Sequence, residues 1–141
     1  MISRQTVIMV EDNPADVELT RLALKSNNLD YDLVHFPDGQ SFLSWLEGQD
    51  TLLLKYCMVL LDLNMSGLPG LDVLKRLKKH PTWSKLPVVI FSSSARIEDV
   101  ESCYEAGANA YVLKPLNFEE FEQKIGNIFT FWGKFNIRLT V

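Results

Sequence analysis

The chain has little of what would mark a specialised protein. Two cysteines stand in 141 residues. Cys57 and Cys103 have no CxxC or metal-like spacing, which excludes a disulfide framework and fits small core residues in a reducing cytoplasm. No apolar stretch approaches the ~20 residues of a membrane span, and the first residues lack a signal-peptide pattern, so no membrane partner is expected. Positive charge is also short. A net charge of -4 gives no general pull toward nucleic acid. The densest basic stretch, Lys75, Arg76, Lys78, Lys79 and His80, reads as the solvated outer face of a helix. Both histidines, His35 and His80, stand apart from the acidic residues and are read as surface or strand residues without a catalytic role.

What is present is ordinary in amount and ordered in arrangement. Apolar residues make up 47% and charged residues 23% of the chain, enough for one domain with a real core. Four short apolar runs each end in a polar group. Val7–Val10 leads to Glu11-Asp12, and Cys57–Leu61 leads to Asp62. Val88–Phe91 leads to Ser92, and Ala110–Leu113 leads to Lys114-Pro115. Tyr31–Phe36 reads as a fifth strand, and Leu52–Tyr56 leads into the run that carries Cys57–Leu61.

Helical patterns fill the intervals. Asn13-Pro14 forms a helix start, a capping side chain followed by a proline whose missing N–H costs nothing. Asn27-Asn28 closes that helix, and Pro37-Asp38-Gly39 opens the next. Leu71, Val73, Leu74 and Leu77 keep helical spacing, and Gly107 is suited to ending a helix near Ile97–Ala106. Phe118, Phe121, Ile125, Ile128 and Trp132 line one face of a last helix from about Asn117 to Phe131. Five nearly continuous apolar strands alternating with five helices predict an α/β fold, a parallel sheet covered on both faces. Ligands of such sheets lie beyond the carboxyl ends of the strands, where the polar caps would meet.

Those caps suit magnesium and phosphoryl chemistry. Magnesium takes oxygen ligands and usually keeps several waters. Asp12 and Asp62 are candidate direct ligands, with Glu11 acting through water and the backbone carbonyl near Asn64 filling another position. Three carboxylates so close repel one another, and a cation resolves the conflict. Asp62, alone at the end of its strand, is the candidate nucleophile toward phosphorus. Phosphoryl transfer depends on positioning and on neutralising the equatorial oxygens. Lys114 and the Ser92 hydroxyl are available for that, with Ser93 beside them.

These residues, in this order, resemble the receiver domain of two-component response regulators. The matches are Glu11-Asp12, Asp62 opening Asp62-Leu63-Asn64-Met65, Gly70, Ser92 after Pro87–Phe91, Gly107-Ala108 before Tyr111, and Lys114-Pro115. The resemblance covers residues 5–130. The resemblance implies a flavodoxin-like (βα)5 sheet and transfer of phosphate to Asp62 from a histidine kinase or phosphotransfer protein. It implies Mg²⁺ held by Asp12, Asp62 and the Asn64 carbonyl with help from Glu11, and a Lys114–phosphoryl contact. The Lys114–Pro115 bond is often cis in such domains. Ser92 and Tyr111 match a hydroxyl–aromatic switch pair that reshapes the fourth helix, fifth strand and fifth helix. Asn64 and Ser94 match positions that tune phosphate loss. One departure is Ser66 where the family often has proline, with Pro69 following, which alters the loop over the site.

Taken singly, each motif has a plain reading. Glu11-Asp12 could cap a helix, Asp62 could be a turn residue, Lys114-Pro115 a loop dipeptide, and Tyr111 a core aromatic; their joint occurrence at matching strand ends is what argues for a site. Rival functions fit less well. A haloacid-dehalogenase-like phosphatase needs a second Asp where Asn64 stands. A flavodoxin-like FMN protein needs a Ser/Thr-rich phosphate loop after the first strand, and none follows. A pseudo-receiver usually lacks an acidic or lysine position, and none is missing.

The chain is read as a single receiver domain over 1–141, its core at 5–130 and a helical extension over 131–141. Ile128, Phe129, Phe131, Trp132 and Phe135 place aromatic and aliphatic groups on more than one face of that end. This surplus suggests a homodimer through the last strand and helix. The Phe131-Trp132 ending and His35-Phe36-Pro37-Asp38-Gly39 look similar to single-domain regulators that accompany bacterial phytochrome kinases.

Overall fold

The computed structural model describes residues 5–49 and 55–138; the expected lead-in over 52–54 lies outside them. Five parallel strands form one sheet in the order β2-β1-β3-β4-β5: β1 (Gln5–Val10), β2 (Tyr31–Phe36), β3 (Tyr56–Leu61), β4 (Val88–Ser92) and β5 (Ala110–Leu113). The helices are α1 (Pro14–Ser26), α2 (Gly39–Glu47), α3 (Gly70–Lys79), α4 (Ile97–Glu105) and α5 (Phe118–Thr130). This is the expected flavodoxin-like receiver topology. The strand bounds read from the sequence fall within a residue of those observed, except that β1 begins two residues before the expected Val7.

The sheet divides the interior into two apolar layers, because alternate side chains on a strand point to opposite faces. Ile8 and Val10 of β1 face a layer with Phe42 of α2, Leu74 of α3 and Cys103 of α4. Val7 and Met9 face the other layer, with Leu24 of α1 and Ile125 and Phe129 of α5. The inner strands β1, β3 and β4 are buried almost throughout, whereas β2 and β5 at the edges are half covered. Cys57 belongs to one layer and Cys103 to the other. Both thiols are buried and free, and the sheet between them excludes an internal bridge.

Local chemistry sets the helix ends. Asn13 accepts the Ala15 N–H through its side chain, with Pro14 opening α1. Asp38 caps α2 through the Ser41 N–H, and Asn117 caps α5 through the Glu120 N–H. Gly107 follows α4 with φ +104°, a left-handed conformation that glycine adopts without a Cβ clash.

Two expectations change. Lys78 leaves the solvated face and turns inward. Its ammonium donates to the Ser84 carbonyl at 3.2 Å, the Leu86 carbonyl at 3.1 Å and Asn109 Oδ1 at 2.9 Å, tying α3 to the segments before β4 and β5. Burial lowers its pKa. The long aliphatic stem makes this possible, since it reaches past the helix surface to acceptors that the helical pattern does not reveal.

The helical extension expected over 131–141 ends at Phe135, in a π turn over Phe131–Phe135 followed by extended backbone at Asn136. The Tyr31 hydroxyl donates to the Phe129 carbonyl at 2.9 Å, an acceptor that an α-helix would offer to Gly133. A Cβ on Gly133 would lie 1.8 Å from that hydroxyl, so the chain passes there only as glycine. Ile128 and Phe129 are buried and Trp132 is partly covered, while Phe131, Phe135 and Ile137 are exposed.

Lys78→Met should lower folding stability by about 1–2 kcal/mol, because the Ser84 and Leu86 carbonyls, both part-buried, lose their ammonium donor. Lys79→Met, on the exposed face, should change it by less than about 0.5 kcal/mol. Urea denaturation distinguishes the two, and equal midpoints would remove Lys78 from the fold's supports.

Candidate functional site

The backbone of the site is an extension of the sheet. Each key residue lies one step beyond its strand, and its N–H still bonds to the neighbouring strand's last carbonyl. Glu11 N–H donates to Phe36 O at 3.0 Å, Asp62 N–H to Val10 O at 3.1 Å, and Lys114 N–H to Ser92 O at 2.8 Å. The sheet therefore fixes where these side chains begin. Together with Asp12, Asn13, Asp16, Asn64, Ser93, Pro115, Leu116 and others they line a cleft of about 560 Å³ at the carboxyl edge.

Charge dominates this cleft. Carboxylate oxygens of Glu11, Asp12 and Asp62 lie within 4.8 Å of one another. Lys114 Nζ donates to Glu11 Oε1 at 2.5 Å and to Asp16 Oδ2 at 2.8 Å, and stands 3.6 Å from Asp62 Oδ2. Burial pushes the Glu11 carboxyl up to about 7, with Lys114 pulling it back and Asp62 adding to the rise. For Lys114, burial alone would lower the pKa; hydrogen bonds to Asp16 and Glu11 outweigh it and hold the ammonium above its ordinary value. Three oxygen donors in a recessed acidic group suit a hard divalent cation, which takes carboxylate and water ligands.

The other expected residues take definite places. Asn64 and Ser93 line the cleft. Ser92 is fully buried, and its hydroxyl oxygen accepts the Ser94 N–H at 3.1 Å. Tyr111 donates its hydroxyl to the Ser94 carbonyl at 2.7 Å. Ser94 in turn bonds Asp99 Oδ2 at 2.5 Å. No peptide bond among the described residues is cis, so Lys114–Pro115 is trans, the isomer that an X–Pro bond favours by roughly 0.5–1 kcal/mol. At Gly70 a Cβ would stand 2.2 Å from the Asp62 carbonyl oxygen, which accounts for glycine there.

Three further residues join the site, two of them not expected there and the third, Ser66, expected only to alter its loop. Asp16 lies in the first turn of α1, four residues after Asp12, and that spacing was its only signal. His35 stands near the end of β2, beside β1; its Nε2–H donates to the Glu11 carbonyl at 2.7 Å and steadies the acidic segment. Ser66, the departure from the usual proline, donates its N–H to Asp12 Oδ2 at 3.0 Å. A proline has no N–H to give.

The chain belongs to the response regulator receiver domain family, whose model matches residues 7–126. Among its relatives is the response regulator Rcp1 of Synechocystis sp., 30% identical over 130 residues, 91% of this chain and 88% of that protein. The phosphorylated cyanobacterial phytochrome response regulator RcpA superimposes with a TM-score of 0.88 at 28% identity, over 98% of this chain and 100% of that one. The bacteriophytochrome response regulator AtBRR is 33% identical, with a TM-score of 0.71 and coverage of 99% and 100%.

Gly70→Ala should cost about 1–3 kcal/mol through overpacking and should displace the Asp62 backbone. Denaturant titration reads the first effect and the Asp62 amide NMR shift the second. An unmoved Asp62 resonance would mean that the loop yields instead.

Proposed function

We propose that the chain is a single-domain response regulator, residues 1–141, that accepts phosphate on Asp62 from a partner histidine kinase or phosphotransfer protein. It then acts as a phosphorylation-controlled interaction switch. The observation that carries this reading is the Asp62 carboxylate, set among Glu11 and Asp12 and facing the Lys114 ammonium at 3.6 Å. The relatives described as phytochrome response regulators support a phytochrome-type kinase as partner. The buried free thiols fit a reducing cytoplasm, and no helix among the described residues is long and apolar enough to cross a membrane.

Mg²⁺ would be held by Asp12, Asp62 and the Asn64 carbonyl, with Glu11 assisting, and would supply charge neutralisation for the phosphoryl oxygens. Asp62 is the nucleophile: its carboxylate oxygen bonds to phosphorus as the donor's leaving group departs with the electron pair of the broken bond. Lys114 receives charge that develops on the phosphoryl oxygens, and Ser92 and Ser93 offer further donors. Ser92 has to give up its bond with Ser94 to turn toward the site. That change reaches Tyr111 through the Ser94 carbonyl, and from there α4, β5 and α5. Asn64 and Ser94 tune phosphate lifetime, and Pro115 and Gly70 shape the loops. The chain is thus a phosphoacceptor, its own chemistry limited to gaining and losing phosphate.

Incubation with Mg²⁺ and acetyl phosphate should add one acid-labile phosphate, and Asp62→Asn should abolish it. Equal labelling of the variant, read by intact-protein mass spectrometry, sinks the assignment.

We also propose a homodimer through β5, α5 and the tail, where Phe131, Phe135 and Ile137 are exposed. Sedimentation at rising concentration should move toward twice the monomer mass, and Phe135→Glu should reverse it. A chain that stays monomeric throughout contradicts the dimer.

A further inference from the structure

Lys114 divides its hydrogen bonds in a way that the proposed phosphoacceptor chemistry does not require. An ammonium has three N–H donors. Two reach Glu11 and Asp16, at 2.5 and 2.8 Å, whereas Asp62 at 3.6 Å lies beyond hydrogen-bond range. Of the two carboxylates that hold Lys114, Glu11 belongs to the group able to bind a cation. Asp16 lies outside that group.

Asp16 could be simply an acidic residue in the first turn of α1, favoured there by the helix dipole. Its placement argues for more. The side chain is only 19% exposed and points into the cleft toward Lys114. Its backbone carbonyl accepts the Thr20 hydroxyl at 2.8 Å, and Thr20 is fully buried, so the turn carrying Asp16 is anchored. Metal binding would draw on Glu11 and phosphorylation would alter Asp62, but neither event engages Asp16.

We propose that Asp16 is a positioning residue that competes with the incoming phosphoryl group for the Lys114 ammonium, restraining phosphorylation of Asp62 by anionic donors. This rests on Asp62 being the phosphoacceptor. Two effects act in one direction. Asp16 holds one of the three Lys114 N–H donors and draws the ammonium toward α1, and its charge lines the cleft that the anionic donor must enter. Asp16→Asn keeps the shape and removes the charge.

The test is labelling by acetyl phosphate with Mg²⁺, in which the Asp62 oxygen–phosphorus bond forms, the bond from phosphorus to the acyl oxygen breaks, and acetate leaves with its electron pair. Asp16→Asn and Asp16→Ala should each label roughly three- to tenfold faster at low donor concentration. The gain should come from a lower half-saturating donor concentration, with the Mg²⁺ requirement unchanged within about twofold. Asp16→Glu, which restores the charge, should return toward the wild-type rate. Without metal, inorganic phosphate should raise the melting temperature of Asp16→Asn more than that of the wild type.

Rates at or below wild type in both neutral variants, with native melting, would overturn the competition and leave Asp16 a structural anchor for Lys114. Failure of the wild type itself to be labelled on Asp62 would instead refute the phosphoacceptor reading.

Discussion

The site depends on one ammonium among carboxylates. Glu11, Asp12, Asp16 and Asp62 all line the cleft, and Lys114 is the single cation among its lining residues. Glu11 and Asp62 are almost wholly removed from water, as is most of Lys114. Like charges this close are tolerated only if something compensates them, because burial raises the cost of keeping each one ionised. Lys114 supplies part of that compensation by bridging β5, β1 and α1. The remaining excess of negative charge is what makes the cleft receptive to a cation. The same excess burdens the folded chain: burial raises the Glu11 pKa, and the neighbouring Asp62 adds to the rise.

Such an arrangement needs a rigid base, and the parallel sheet provides it. The ladder extends one residue past β1, β3 and β5, so Glu11, Asp62 and Lys114 begin from backbone positions fixed by hydrogen bonds to their neighbours. The strands beneath are clamped by apolar layers on both faces. The loops above are looser, and small residues shape them. Gly70 lets α3 begin against the Asp62 carbonyl, and Ser66 reaches Asp12 because it retains an N–H.

The parts of this architecture set by local chemistry were legible in the sequence. Ala110–Leu113 was recognisable as a strand because a short apolar run between turn residues has few other uses, Tyr31–Phe36 because its residues loosely alternate, and Asn13-Pro14 announced α1 because capping needs only adjacent atoms. What stayed hidden depends on where a long side chain ends after folding. Lys78 sits in a basic run whose helical pattern pointed outward, yet its acceptors come from 6 to 31 positions along the chain. Asp16 and His35 became part of the site only when α1 and the end of β2 were placed beside Glu11. The π turn at Phe131–Phe135 arises from Tyr31, nearly a hundred residues earlier.

The loop after β4 bears on the proposed switch. Ser92, Ser94, Asp99 and Tyr111 form one hydrogen-bonded unit. Ser94 donates its N–H to Ser92, accepts Tyr111 at its carbonyl, and joins its hydroxyl to Asp99 in the first turn of α4. Ser92 is fully buried, so its hydroxyl cannot leave Ser94 for water without cost. It can leave only for another polar partner, and the neighbouring cleft is the nearest place where one could arrive. A small displacement of Ser92 would therefore loosen Ser94, and through it both an aromatic side chain at the edge of the sheet and the start of a helix. In the proposed switch, this geometry would convert a local exchange of hydrogen-bond partners into a change of surface, because packed elements shift between discrete arrangements more readily than they deform continuously.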